Sequence, residues 1–214
     1  MLERLLLPET HAIAILVKDH DRVKDLFDRF EKEDSGTRKE KIIGEALTEL
    51  KIHAAIEEEI FYPAVRKELG KDVMNEADEE HHVARVLIAE LDREGRGDDH
   101  REAKFTVLAE SVRHHIKEEE GEMLPKAKGL EIDFEALGQK MLARKKELQR
   151  HGVPPDAEHK MVAAANGKGD SPAARARRGG KVPAVSARGT RTIVRTAGRR
   201  SGSGTKAKGR RRAA

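Results

Sequence analysis

Two histidine–glutamate pairs, each set inside an apolar helical stripe, constrain this chain more than any other feature. In the first, His53-Ala54-Ala55-Ile56-Glu57 runs on into Glu58-Glu59-Ile60-Phe61-Tyr62-Pro63. Residues four apart share a helix face. On this face Ile43, Ala46, Leu50, Ile60 and Ala64 fall at helical spacing, and His53 and Glu57 fill the remaining core positions. A second copy lies 62 positions on, where His115, Glu119 and Pro125 repeat His53, Glu57 and Pro63. Such stripes can only be buried in a helical protein that supplies partners for the polar side chains within them.

The rest of the chain extends the repeat. Residues 9–32 read as a first helix whose stripe of Ile13, Leu16, Val23, Phe27 and Phe30 has His20 in its gap. A second helix is expected from Thr37 to Leu69, with Pro63 as a kink or early break and Gly70 as its C-cap. A third spans about Asp72–Glu94, with His81 in the gap among Met74, Ala77, Ala84, Ile88 and Leu91. The fourth runs from about Asp99 to Ala127, where Phe105, Leu108 and Val112 lead into His115 and Glu119. Helices of this length with short links imply antiparallel neighbours, hence an all-α, up-down-up-down four-helix bundle. A fifth helix over Asp133–Arg150, with Phe134, Leu137, Met141 and Leu148 as its apolar side, is expected outside the bundle, docked at a place the sequence does not specify.

Charge divides the chain in two. Residues 1–150 hold 27 Lys and Arg against 36 Asp and Glu, and residues 151–214 hold 16 against 3. From Gly152 the segment has no aromatic residue and little apolar surface, so residues 1–150 are expected to fold and 151–214 to form a disordered basic tail. Aromatic residues make up only 3% of the chain, so the core must be aliphatic. The longest apolar run near the N-terminus, Ala12–Val17, is too short for a secretory or membrane-spanning segment, and a cytoplasmic protein without membrane association is expected.

Four core histidines and two core glutamates would each cost several kcal/mol if buried without partners. A shared metal centre removes that cost, because neutral imidazoles and ionised carboxylates become ligands. Cysteine is absent, so nitrogen and oxygen must supply the ligands, a set that suits iron, manganese or zinc. Two carboxylates from opposite helices are placed to bridge a pair of ions. A ferritin-like arrangement would need Glu-x-x-His on two helices, and the one instance, Glu79 to His82, lies off the core stripe.

The order His20, His53-x-x-x-Glu57, His81, His115-x-x-x-Glu119, closed by Phe-Tyr-Pro and Met-Leu-Pro, resembles the hemerythrin-like (HHE cation-binding) family over about residues 8–128. The resemblance implies a four-helix bundle holding two non-haem iron ions with an oxo or hydroxo bridge. His20 and His53 would bind one iron, His81 and His115 the other, and Glu57 and Glu119 would bridge them. Oxygen-carrying members have a further histidine one turn after the third-helix histidine and an aspartate as the last bridge. Arg85 and Glu119 stand there instead. The departure favours sensing or consumption of a small oxidant (oxygen, peroxide or nitric oxide) over reversible oxygen carriage.

Other residues near the motifs receive plainer readings. His82 and His114 fall on the flanks, and His11, His100, His151 and His159 read as surface residues. Tyr62 reads as packing, and Glu58 and Glu122 as near enough to replace a water ligand in a secondary arrangement. The basic tail either tracks nucleic-acid phosphates without reading sequence or solubilises the chain. In the first case the protein would be a nucleic-acid-associated, iron-binding one.

Overall fold

The computed structural model describes residues 7–95, 98 and 100–167, all within one compact unit, Met1–Ser171. Every regular element among them is helical: α1 (Ala12–Lys32), α2 (Gly36–Ile56), a π turn π1 (Glu57–Phe61), α3 (Tyr62–Leu69), α4 (Lys71–Arg93), α5 (Arg101–Glu118), a second π turn π2 (Glu119–Met123), α6 (Leu124–Lys128), α7 (Phe134–His151) and α8 (Ala157–Gly167). The expected second and fourth helices are thus each a composite, α2-π1-α3 and α5-π2-α6. Packing of α1 on α2, α4 on α5, α2 on α4 and α1 on α5 closes a ring of four rods. Gly70 separates α3 from α4 at φ 92°, a left-handed conformation that only glycine adopts at little cost.

The stripes point inward as their spacing requires. His20, His53, His81, His115, Glu57 and Glu119 are all buried. One apolar cluster packs below the polar layer around Leu16, Ile56, Phe61, Val65 and Met74, and another above it around Phe27, Phe30, Leu47, Phe105 and Leu108.

Three expectations change. First, Pro63 does not end its helix: it sits in the first turn of α3, directly after a π turn, as Pro125 of the second copy does in α6. Each lacks an N–H, and the turn before it widens into a π turn that begins on the glutamate six residues earlier. The extra residue rotates the helix beyond it. Phe61 and Val65 are therefore the fully buried positions, and Ile60 and Ala64 are only partly covered.

Second, α7 has a definite berth against α1, α2 and π1. Asp133 caps it by accepting a hydrogen bond from the Ala136 N–H at 2.9 Å. Third, the expectation of disorder from Gly152 onward is corrected for residues 157–167, which form α8 on the flank of α4. That helix docks mainly through polar contacts. Arg93 donates to the Val162 and Ala163 carbonyls at 2.9 and 3.2 Å, and His159 lies between Asp92 and Asp156 at 2.9 and 2.7 Å. Residues 168–214, with most of the basic tail, lie outside the described residues. No helix among those described is long and apolar enough to cross a membrane.

Candidate metal centre

The π turns set the geometry of the centre. Each opens on a core glutamate one turn after a histidine, so α2-π1 presents His53 and Glu57 and α5-π2 presents His115 and Glu119, with α1 and α4 supplying His20 and His81. The structure brings all six together. His20 Nε2 lies 3.1 Å from Glu119 Oε2, and His53 Nε2 lies 3.1 Å from Glu57 Oε2. His81 Nε2 is 3.4 Å from the same Glu57 oxygen, and His115 Nε2 is 3.6 Å from Glu119 Oε2. Two groups of donor atoms result, His20/His53/Glu57/Glu119 and Glu57/His81/His115, each within 4.8 Å, and they share Glu57.

Hydrogen bonding accounts for only part of this cluster: His81 Nε2 and His115 Nε2 lie 3.1 Å apart and within reach of the Tyr62 hydroxyl. His20 Nε2, His53 Nε2, both Glu57 oxygens and Glu119 Oε2 are buried without a hydrogen-bond partner. A buried polar atom without a hydrogen bond costs about 1–3 kcal/mol, which the opposing charges 3.1–3.6 Å away offset only in part. Donors held on metal bonds of about 2.1 Å lie roughly 3.0–3.4 Å apart, close to the spacings found here. The residues present therefore fit a cation-binding site, in donor type as well as in distance.

Electrostatics agrees. Burial alone would push the His53 imidazole down, but the Glu57 charge and Asp19 outweigh it and hold His53 at about 10. Burial is likewise overcome at His81, where Glu57 and Glu58 raise the imidazole to about 9. Burial would raise Glu57, yet His53 and His81 hold it well below the usual carboxylate range. Burial and the Glu57 charge would both raise Glu119, and His115 and His20 keep it low. The carboxylates thus stay ionised and draw positive charge to the middle of the bundle.

Each histidine also has a carboxylate behind it. Nδ1 of His20 faces Glu120 at 3.1 Å, that of His81 faces Glu58 at 2.8 Å and that of His115 faces Glu80 at 2.7 Å. Asp19 faces the His53 Nδ1 at 3.8 Å, beyond hydrogen-bond length, and acts through its charge. Such partners turn the other ring nitrogen toward a metal and raise its basicity. Asp19, Glu80 and Glu120 were not singled out in the sequence. Their signal was present, since the repeat places an acid before His20 and before His81, and another after Glu57 and after Glu119. Glu58 stands in this supporting set, its Oε1 on His81 Nδ1 and on Arg85. Glu122 points away and pairs with Lys126 at 2.6 Å.

Tyr62 is more than packing. The π turn swings it inward, where its hydroxyl donates to Glu119 Oε1 at 2.9 Å and lies 3.0 Å from His81 Nε2. Burial, with the charges of Glu57 and Glu119, keeps this phenol protonated well above its ordinary range. Arg85 reaches outward to Glu58 and, at 3.2 Å, to Glu158 of α8, which also pairs with His82 at 2.8 Å. His114 is largely exposed, as are His100 and His151, whereas His11 is half-buried and stacks on Phe134 with ring centroids 5.3 Å apart.

An all-helical protein with a duplicated, buried histidine–glutamate cluster at its centre is a cation-binding bundle. The hemerythrin HHE cation binding domain matches residues 11–127, more than half of the chain, and the chain belongs to that family. Among solved structures, a hemerythrin HHE cation binding domain-containing protein from Mycobacterium kansasii is similar, at 25% identity and a TM-score of 0.55. The match covers 66% of this chain and 94% of that one. No curated protein matches.

Proposed function

We propose that the four rods form an up-down-up-down bundle holding two non-haem iron ions, and that the protein senses or consumes a small oxidant there. His20 and His53 would hold one ion, His81 and His115 the other, with Glu57 and Glu119 shared between them. The observation that carries this reading is the convergence of buried donor atoms that lack hydrogen-bond partners. When bound, the iron pair supplies redox and Lewis-acid chemistry.

The chain's own residues define what can approach. A cavity of about 40 Å³ touches all four histidines and is otherwise lined mainly by apolar side chains, including Val23, Leu50, Ile88, Val112 and Ile116. It has room for a diatomic molecule or a peroxide. Arg85, at the position of the extra histidine of oxygen carriers, directs its guanidinium to Glu58 and Glu158 and offers no ligand. Each ion would then have two histidines, leaving coordination positions for an exchangeable ligand. Tyr62 supplies a hydroxyl proton donor at the carboxylate side.

The iron-loaded protein is accordingly expected to change its optical spectrum with peroxide and to form no long-lived, reversible oxygen complex. Ala84 lines the cavity, so Ala84→Leu should keep the iron and slow the peroxide reaction by about tenfold or more, through mispositioning of the oxidant. Stopped-flow absorbance measures both. A stable oxygen adduct in the wild-type protein, or an unchanged peroxide rate in the fully loaded variant, would sink the oxidant reading.

A further inference from the structure

The two halves of the repeat are neutralised unequally. Glu120 behind His20 pairs with Lys24 at 3.1 Å, and Glu58 behind His81 pairs with Arg85, each cation lying four residues after its histidine. Asp19, behind His53, pairs with Lys145, which α7 brings across α1. Glu80 occupies the matching place in the second half, behind His115. Among the described residues no lysine or arginine pairs with it, and no helix covers α5 and π2 as α7 covers α2 and π1.

A pocket of about 80 Å³ opens there instead, with Glu76, Glu80, Glu118 and Glu122 on its walls. His115 and Glu119 also line it. Glu119 is only 1% exposed, and its Oε2 has no hydrogen-bond partner. The pocket therefore joins solvent to a buried carboxylate of the inner centre. Two of these wall residues also meet a histidine that does not line the pocket: His114 Nε2 lies 3.1 Å from Glu118 Oε1 and 3.8 Å from Glu80 Oε1, and the three groups offer donor atoms within 4.8 Å of one another. Glu80 thus has one oxygen on His115 of the centre and the other on this outer group.

We propose that Glu80, His114 and Glu118 form an outer site for a divalent transition-metal cation, through which the inner centre is loaded. One imidazole and two carboxylates suit manganese, iron or cobalt in the divalent state. An exposed site of this kind binds and releases faster than a buried one. The surrounding carboxylates concentrate cations at the mouth, and Glu80 is the one group common to both sites. Only the direction of transfer rests on the reading of the inner six residues as a metal centre.

The test is titration of the metal-free, full-length protein with Mn²⁺, measuring bound metal by calorimetry and free metal by electron paramagnetic resonance, with loading rates from stopped flow. Wild-type protein should show a weak equivalent in addition to those of the inner centre. H114A, at an exposed position, and E118Q, at a half-buried one, should each lose the weak equivalent, keep the inner ones and load them about tenfold more slowly. H53A should do the reverse, keeping the weak equivalent and losing inner metal. Absence of the weak equivalent in wild-type protein, or its persistence in both H114A and E118Q, would overturn the outer site. Its loss with an unchanged loading rate would overturn the entry role. Inner equivalents that survive in H53A would count against the inner centre alone.

Discussion

Glu57→Gln is expected to abolish stable metal binding at both positions of the centre while leaving the helices intact. Glu57 is the group shared by the two donor clusters, completely buried, and neither of its oxygens has a hydrogen-bond partner. Glutamine has nearly the same volume, so packing around α2 and π1 is preserved. It removes the negative charge that holds positive charge at His53 and His81 and presents an amide N–H₂ where one donor oxygen had been. Changing only an outer partner of a metal ligand costs 10–100-fold in affinity, and loss of the shared ligand should exceed about 100-fold. At metal concentrations near a thousand times the wild-type dissociation constant, bound metal adds about 4 kcal/mol of stability. The variant should forfeit most of that increment, visible as a melting temperature that no longer rises with added metal. Circular dichroism checks the fold. A variant that binds metal as wild-type protein does would remove Glu57 from the centre.

Gly138→Ala should produce the largest loss of stability from the smallest change of side chain. Gly138 lies in α7 where that helix crosses the segment entering α1. A Cβ there would stand 1.9 Å from the Thr10 carbonyl oxygen and 2.8 Å from the Ala12 nitrogen. Both are backbone atoms, so no side chain can swing aside. Either α7 lifts or the start of α1 moves, at about 3 kcal/mol, the upper part of the usual range for overpacking. Thermal and urea denaturation should show the loss. Because α7 carries Lys145 to Asp19 behind His53, metal affinity should fall with it. Wild-type stability in this variant would mean that α7 sits further from α1 than the structure places it.

The inward faces were legible because apolar residues at helical spacing leave few alternatives, and the gaps in those stripes named all six central residues. His20, His53, His81 and His115 were found this way, as were Glu57 and Glu119. What the stripes concealed was the shift of register within them. A π turn differs from an α turn by one residue and a changed backbone hydrogen bond, and its trace in the sequence is only a proline six residues after each glutamate. That shift brought Tyr62 into the centre and replaced Ile60 and Ala64 by Phe61 and Val65 at the buried positions. Of the carboxylates behind the histidines only Glu58 was singled out, and Asp19, Glu80 and Glu120 escaped notice for a different reason. In a chain with 38% charged residues a single acid beside a histidine means little, and only the repeat makes Asp19 and Glu80, or Glu58 and Glu120, a pattern. Helix α8 was invisible to hydrophobic periodicity because Glu158, His159 and the backbone carbonyls bonded by Arg93 hold it, with Val162 as its buried apolar residue. The Arg-rich stretch beyond it lies outside the described residues, and its role with nucleic acid stays an expectation from charge.

The central claim, a pair of iron ions sharing Glu57 and Glu119, is tested most directly by Mössbauer spectroscopy of protein loaded with iron and analysed for metal and protein content together. We predict two irons per chain, in a spectrum of magnetically coupled ferric ions, reduced to a minor fraction in Glu57→Gln. One iron per chain, or two with the spectra of isolated, uncoupled ions, would contradict it.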